Sequence, residues 1–135
     1  MTSSIQLVFD CADPDRMADF WRQALGYQLQ PPPEGFDSWD AFLVSIGVPE
    51  EQRHDASAIT DPDGIRPRIF FQKVPEPKVG KNRVHIDFRC EDRAAEVARL
   101  VVLGATVLAE RCLGDFCWTV LADPAGNEFC VSGDT

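Results

Sequence analysis

Basic residues are scarce in this sequence. It has 13 Lys and Arg residues against 22 Asp and Glu, which gives a formal net charge of -9 at pH 7. A protein that binds nucleic acid or an anionic membrane surface needs a concentrated basic patch, whereas the Lys and Arg residues here are scattered along the chain. We therefore expect neither nucleic acid nor membrane as a partner. An acidic surface is compatible with a cationic small molecule, or simply with a soluble protein.

Cysteine pairs and long apolar runs are also missing. The five cysteines, at positions 11, 90, 112, 117 and 130, form no CxxC motif and leave one unpaired. This predicts reduced cysteines rather than a disulfide framework or a structural zinc site. No apolar run is long enough to span a membrane, and no basic segment followed by an apolar run opens the chain. We expect a cytoplasmic protein.

The first clear element is a strand followed by a capped helix. Residues 5–11, IQLVFDC, alternate apolar and polar side chains, as in a strand with one buried face. Asp13 can accept hydrogen bonds from the first amides of a helix, and Pro14 fits its first position. The apolar positions predict that this helix runs to Leu25, where Gly26 ends it.

Shorter elements complete the first half of the chain. Three prolines in PPPEG at 31–35 exclude regular structure there, and residues 47–67 are polar and interrupted by Pro and Gly, which predicts a long irregular connection. The predicted strands of this half are 5–11, 27–30, 39–46 and 68–74.

The second half contains the stretch NRVHIDFRCED at 82–92, in which an alternating strand is predicted over 84–90. Because strand side chains alternate, His85 and Asp87 lie on one face and Ile86 and Phe88 on the other. A helix capped by Asp92 follows and ends at Gly104. The remaining predicted strands are 105–111, 116–122 and 127–132.

The two halves repeat each other. Phe9, Cys11 and Asp13 recur at a constant spacing as Phe88, Cys90 and Asp92, so that Gln6 matches His85. The turn DPDG at 61–64 recurs as DPAG at 123–126. Such a pattern predicts an α+β fold of two tandem βαβββ modules, each with its helix on one face of a sheet. We predict a single domain over 1–135, with module 1 at about 4–74, a linker at 75–82 and module 2 at about 83–132.

This order of elements resembles the vicinal oxygen chelate superfamily, which includes glyoxalase I, bleomycin resistance proteins, fosfomycin resistance enzymes and extradiol dioxygenases. The segments FDCADPDRMADFW, FQKVPEPKVGKNRVHIDFR and WTVLADPAGNEFC look like the glyoxalase-like domain in particular. The resemblance covers nearly the whole chain. It implies a curved mixed sheet around a cup that binds a small molecule, and a homodimer.

The resemblance also implies four metal-ligand positions, one on the first and one on the last strand of each module. In this sequence they are Gln6, Gln72, His85 and Cys130. The common residue at both last-strand positions of the family is glutamate, so Gln72 and Cys130 are departures. The set predicts a degenerate site with weak affinity for a divalent ion such as Zn, Ni, Mn or Fe. It also argues against glyoxalase I activity, which needs a carboxylate at the metal.

Two functions are compatible with these residues. In the first, His85 and Asp87 are catalytic and transfer protons to a ligand, as in a lyase or isomerase. In the second, the protein sequesters an aromatic or cationic compound without catalysis, as bleomycin resistance proteins do. Trp118 is an expected ligand-binding residue in either case. Glu128 shares its strand face with Cys130. It could lean toward the cup as a substitute carboxylate, but we expect it to be exposed at the surface because the start of the strand can twist outward.

Overall fold

The computed structural model describes residues 3–133. The chain divides into two compact units, Met1–Glu76 and Pro77–Thr135, and the boundary falls within the predicted linker. Within the described residues, no helix has the length and apolar character needed to cross a membrane.

The described residues of unit 1 form four strands, two helices and a short 3₁₀ turn. The strands are β1 (Gln6–Cys11), β2 (Gln28–Leu29), β3 (Ala56–Thr60) and β4 (Arg68–Lys73). The helices are α1 (Pro14–Leu25) and α2 (Trp39–Ser45), and the 3₁₀ turn is Glu50–Gln52.

In the part of unit 2 that the structure describes there are four strands and one helix. The strands are β5 (Ile86–Arg89), β6 (Thr106–Leu113), β7 (Phe116–Ala122) and β8 (Glu128–Ser132). The helix, α3 (Arg93–Leu103), follows β5.

Both sheets have the same topology. The strand order is β1-β4-β3-β2 in unit 1 and β5-β8-β7-β6 in unit 2. In each sheet the first strand pairs with the last in parallel, and the remaining pairs are antiparallel. The predicted α+β class and the two βαβββ modules are therefore confirmed.

Helix α1 forms as its sequence predicts. The Asp13 side chain accepts a hydrogen bond from the Arg16 amide at 3.2 Å, Pro14 occupies the first turn, and Gly26 ends the helix in the left-handed conformation. Trp21 is completely buried, and its ring lies edge-on to Phe9 with centroids 5.3 Å apart. This contact identifies the face of the first sheet that packs on α1.

Helix α3 covers one face of the second sheet. Asp92 caps it by accepting a hydrogen bond from the Ala95 amide at 3.1 Å. The guanidinium of Arg93, in the first turn of α3, donates to the hydroxyl of Thr119 on β7 at 2.8 Å. Thr119 therefore marks the sheet face that packs on α3, and its neighbours on either side along β7 lie on the opposite face.

The predicted strand at 39–46 is wrong, because the structure has helix α2 over Trp39–Ser45. Ser38 caps the helix by accepting a hydrogen bond from the Ala41 amide at 3.0 Å. Trp39 and Phe42 are three positions apart, as neighbours on one helix face must be, and their ring centroids lie 5.8 Å apart. The segment is helical because its aromatic residues are spaced as neighbours on a helix face, although the alternation of apolar and polar residues had suggested a strand.

The prediction of an irregular connection over 47–67 is also wrong in part. It contains the 3₁₀ turn and strand β3, ASAIT, which pairs with β4 and β2. Small residues predominate in β3 and only Ile59 is fully buried. The hydrophobic alternation that identifies a strand in a sequence is therefore weak in this segment.

The expectation of fully reduced cysteines is contradicted by a disulfide between Cys112 and Cys117. These residues lie opposite each other in the pairing of β6 with β7, close to the turn that joins the two strands. Spacing in the sequence could not reveal the pair, because facing positions depend on the length of the turn. Among the described residues, Cys11, Cys90 and Cys130 are not in a disulfide.

Candidate functional site

The strongest cluster of reactive side chains lies on the face of the second sheet opposite α3. In the register of the sheet, Asp87 on β5 and Val120 on β7 flank Cys130 on β8. Thr119, which marks the α3 face, neighbours Val120 along β7, so the row from Asp87 to Val120 lies on the other side.

His85, Asp87 and Cys130 form this cluster. Their ligand atoms, an imidazole nitrogen, a carboxylate oxygen and a thiol sulfur, all lie within 4.8 Å of one another. His85 Nε2 is 3.3 Å from Asp87 Oδ1. His85 and Asp87 are exposed, whereas Cys130 is 6% exposed. The structure thus brings together three of the six residues predicted for the site.

His85 itself is not part of a strand. The predicted strand 84–90 is wrong at its ends, because β5 covers only Ile86–Arg89. His85 therefore precedes the first paired residue of β5. Its side chain keeps 38% of its surface exposed, which leaves the imidazole accessible to a ligand.

The Cys130 thiol is poorly acidic. Burial is the largest cause, and the negative charge of Asp87 together with a hydrogen bond to it adds to the effect, so that the pKa of Cys130 rises from 9.0 to about 11. At neutral pH the thiol is protonated and donates to Asp87. Cys130 is therefore not an activated nucleophile in this arrangement.

Glu128 lies on the same strand face as Cys130 but is not an available carboxylate. Lys81 Nζ lies 2.8 Å from Glu128 Oε2, and Lys78 Nζ lies 3.7 Å from Oε1. The hydrogen bond from Lys81 lowers the pKa of Glu128. The expectation that Glu128 is exposed is wrong, since its side chain keeps 15% of its surface exposed. Sequence analysis did not identify the two lysines, which precede β5 in the linker.

Trp118 is half-buried and shares the face opposite α3. It pairs with Ser132 on β8, two residues beyond Cys130. The ring of Phe116 lies 5.7 Å from the Trp118 ring, and Phe116 is 51% exposed. These two rings add an accessible aromatic surface to the same sheet face.

The two glutamines predicted as ligands both lie on the face of the first sheet opposite α1, and both are engaged. Gln6 Oε1 accepts a hydrogen bond from the guanidinium of Arg68. Gln72 Nε2 donates to Asp10 Oδ1 at 2.7 Å. A metal ion at Gln6 would have to compete with Arg68 for the same oxygen. Their role as ligands, and a cup shared with His85 and Cys130, stay predictions.

The strand registers show which positions of the two sheets correspond. Cys130 lies opposite Asp87, whose counterpart in the repeat is Val8, and Val8 lies opposite Phe70. Phe70 is therefore the positional counterpart of Cys130, while Gln72 corresponds to Ser132. In unit 1 the apolar residues Val8 and Phe70 therefore stand at the positions of Asp87 and Cys130.

The second histidine has a similar neighbour but no third group. His54 Nδ1 lies 2.7 Å from Asp15 Oδ2, and both side chains are more than half exposed. Within residues 3–133, the only group of three metal-ligating side chains is the one that contains His85.

A sequence model of the family described as "Glyoxalase-like domain" matches residues 6–132. The chain belongs to the glyoxalase-like domain family. This confirms the resemblance to the vicinal oxygen chelate superfamily. No curated protein matches the chain.

Solved structures of this superfamily share the fold of the glyoxalase-like domain. One is a glyoxalase/bleomycin resistance protein/dioxygenase family enzyme from Burkholderia phytofirmans PsJN, with 18% identity, 95% of each chain covered and a TM-score of 0.63. Another is the fosfomycin resistance protein FosX from Mesorhizobium loti, with 12% identity, 100% of this chain and 94% of that chain covered, and a TM-score of 0.63.

A third similar structure is a mutant FosX from Listeria monocytogenes, complexed with Mn(II) and a dihydroxypropylphosphonic acid. It has 13% identity and a TM-score of 0.68, over 100% of this chain and 94% of that chain. At these identities the likeness shows the fold alone.

Proposed function

We propose that this glyoxalase-like domain is a metal-dependent lyase or isomerase of a small molecule, with His85, Asp87 and Cys130 as the metal ligands. The observation that carries the proposal is the convergence of their ligand atoms within 4.8 Å. Metal binding is also supported by analogy, because the FosX structure with a similar fold is complexed with Mn(II). The small molecule is the proposed partner.

The donor set fits a divalent ion of intermediate softness. Imidazole, carboxylate and thiolate are all ligands of Zn²⁺, and three protein ligands leave a fourth position open for a substrate, as in catalytic zinc sites. The sulfur disfavours Mn²⁺, which prefers oxygen ligands. Asp87 provides the carboxylate that the sequence lacks at both last-strand positions.

A bound ion would polarise an oxygen atom of the substrate. The Cys130 thiol has to lose its proton before it can bind the ion, because the thiolate is the form that coordinates a metal. Since the Cys130 thiol donates to Asp87 and has a pKa of about 11, binding must release this proton. Affinity should therefore rise with pH and be modest at neutrality, which agrees with the degenerate site that the sequence predicts.

Metal binding can be tested with Co²⁺ as a spectroscopic probe and Zn²⁺ in calorimetry. The proposal predicts a sulfur-to-cobalt charge-transfer band in the unmodified protein. It also predicts that Zn²⁺ binding releases protons, so that the heat measured by calorimetry varies with the ionisation enthalpy of the buffer. The band should disappear in Cys130→Ser, and Zn²⁺ affinity should fall in His85→Ala and Asp87→Asn by about tenfold or more.

His54→Ala is the matched control, because His54 also pairs with a carboxylate but lies beside no cysteine. It should bind Co²⁺ and Zn²⁺ as the unmodified protein does. Absence of the charge-transfer band from the unmodified protein, or equal loss of affinity in His54→Ala, would contradict the proposal.

Sequestration of an aromatic compound is the second candidate, and the exposed ring of Phe116 beside Trp118 favours it. A ligand that stacks there should raise the melting temperature of metal-free protein by mass action. A panel of cationic aromatic compounds tests this, with Trp118→Ala as the variant and Trp39→Ala as the control. Stabilisation that requires added metal would favour the enzyme instead.

We also infer a homodimer, as the family resemblance implies, and a cytoplasmic location, as the sequence predicts. Light scattering during gel filtration measures the mass in solution. A mass equal to that of a single 15.0 kDa chain would contradict the dimer.

A further inference from the structure

Arg68 is held in place by two neutral side chains. Its Nε donates to Gln30 Oε1 at 2.6 Å, and its Nη1 donates to Gln6 Oε1. The guanidinium carbon also lies 5.4 Å from the centroid of the Phe70 ring. Three contacts from three segments of unit 1 thus fix both the position and the orientation of the guanidinium plane.

The charge of Arg68 is not neutralised by these contacts. Amide oxygens carry no net charge, and Arg68 forms no ion pair with any carboxylate among residues 3–133. Arg66, two positions earlier, is the opposite case, because it forms an ion pair with Asp61. The guanidinium of Arg68 therefore keeps a full positive charge at a fixed position, which suits it to bind an anionic group of a ligand.

Arg68 also keeps donors available. A guanidinium has five N–H donors, and Gln30 and Gln6 accept two of the five. The remaining donors include at least one on each Nη nitrogen, which is the fork that binds two oxygens of a carboxylate or phosphate side by side. Arg68 is half-buried on the sheet face opposite α1, so it is partly desolvated and still reachable.

We propose that Arg68, positioned by Gln6 and Gln30, is a binding site for an oxyanion group, either a carboxylate or a phosphate-type group, of a small-molecule ligand. The site is built from unit 1 residues alone and does not depend on a metal at His85. Phe70 provides an apolar floor next to the charge, so a ligand with a carbon skeleton beside its oxyanion fits better than a bare ion.

The experiment is a titration followed by two-dimensional ¹⁵N–¹H NMR, in which the Arg68 Nε–H signal reports directly on the guanidinium. The probes are inorganic phosphate and acetate in separate titrations, with chloride adjusted to keep ionic strength constant. We expect a saturable shift of this signal with at least one probe. Saturation by phosphate alone identifies a phosphate-type site, and saturation by acetate alone identifies a carboxylate site.

Two variants test the assignment in different ways. Arg68→Gln removes the charge and should weaken binding by about tenfold or more, as expected for a charge-assisted bidentate contact; binding is then read from the backbone amides of Ile69 and Phe70. Gln30→Glu keeps Arg68 but places a carboxylate against it. It should weaken binding comparably, because the guanidinium is then neutralised.

Arg16→Gln is the control, since it makes the same change of charge on the exposed surface of α1. It should bind the probes as the unmodified protein does. The proposal is overturned if neither probe gives a saturable shift, if Gln30→Glu binds as tightly as the unmodified protein, or if Arg16→Gln loses as much affinity as Arg68→Gln.

Discussion

Cys130 lies directly opposite Asp87 in the parallel pairing of β8 with β5, and its thiol donates a hydrogen bond to the Asp87 carboxylate. The interaction stabilises the protonated thiol. It also places a carboxylate, a thiol and the imidazole of His85 close enough to share one ion. The same contact that keeps the thiol neutral therefore completes the candidate metal centre.

Asp87→Asn should make Cys130 more acidic. The mutation removes the charge and the acceptor that, after burial, raise the pKa of Cys130 to about 11. The midpoint of Cys130 alkylation as a function of pH should therefore move to lower pH, as measured by mass spectrometry of the peptide that contains it. An unchanged midpoint would show that burial alone sets the pKa.

The raised pKa also has a consequence for stability. Because the folded-state pKa of Cys130 lies above the usual value of 9.0, its contribution to stability is complete below that pH and is lost as the pH rises towards 11. Urea unfolding across this range should show the loss. Cys130→Ser should remove that part of the pH dependence.

Lys81→Met should raise the pKa of Glu128, since the hydrogen bond from Lys81 is the main cause of its lowering. A lowered carboxyl pKa contributes stability that is present above the unfolded-state value of 4.5 and is lost as the pH falls. In the variant this contribution should be smaller, so the free energy of unfolding should be lower above pH 4.5 and should fall less as the pH drops below it. NMR titration of the Glu128 side-chain carbon measures the pKa, and Lys73→Met, at an exposed position of β4, should leave it unchanged.

Removal of the disulfide should destabilise the protein moderately. The bond between Cys112 and Cys117 closes a loop with a sequence separation of 5, and for a loop this short the chain-entropy model gives about 2 kcal/mol. The double variant Cys112→Ala, Cys117→Ala should lower the free energy of unfolding by this amount in urea, and the reduced protein should behave similarly. A count of five reactive thiols in the unfolded, unreduced protein would contradict the disulfide.

Gly133→Ala should destabilise the end of β8. A Cβ atom at Gly133 would overlap the backbone carbonyl oxygen of Cys90, so the two backbone segments would have to separate, at a cost of about 1–3 kcal/mol. Gly80→Ala is the matched control, because a Cβ there meets nothing within 4 Å. Equal unfolding free energies for the two variants would contradict the close approach.

Much of the fold follows from local signals in the sequence. The caps at Asp13 and Asp92 and the glycines at 26 and 104 define α1 and α3 because they satisfy helix ends irrespective of tertiary contacts. Two elements were missed. Strand β3 has one fully buried apolar residue, and α2 has none, so burial leaves no strong hydrophobic period in either, although α2 does begin with a cap at Ser38.

The candidate sites were predictable only in part. Alternation in the sequence places His85 and Asp87 near each other, and the repeat singles out His85. The position of Cys130 beside Asp87 depends on the register between β5 and β8, which tertiary packing sets. Arg68 was not identified at all, since its partners Gln6 and Gln30 come from distant parts of the chain.

The parallel pairing of first and last strands has a consequence for biosynthesis. Strand β1 leaves the ribosome before its neighbour β4, which comes from the far end of unit 1, and the Gln6–Arg68 contact spans 62 positions. Until β4 is translated, β1 has no backbone partner in the sheet, and closing such a large loop is slow compared with forming a hairpin. Each half of the nascent chain therefore folds only when its own last strand has emerged.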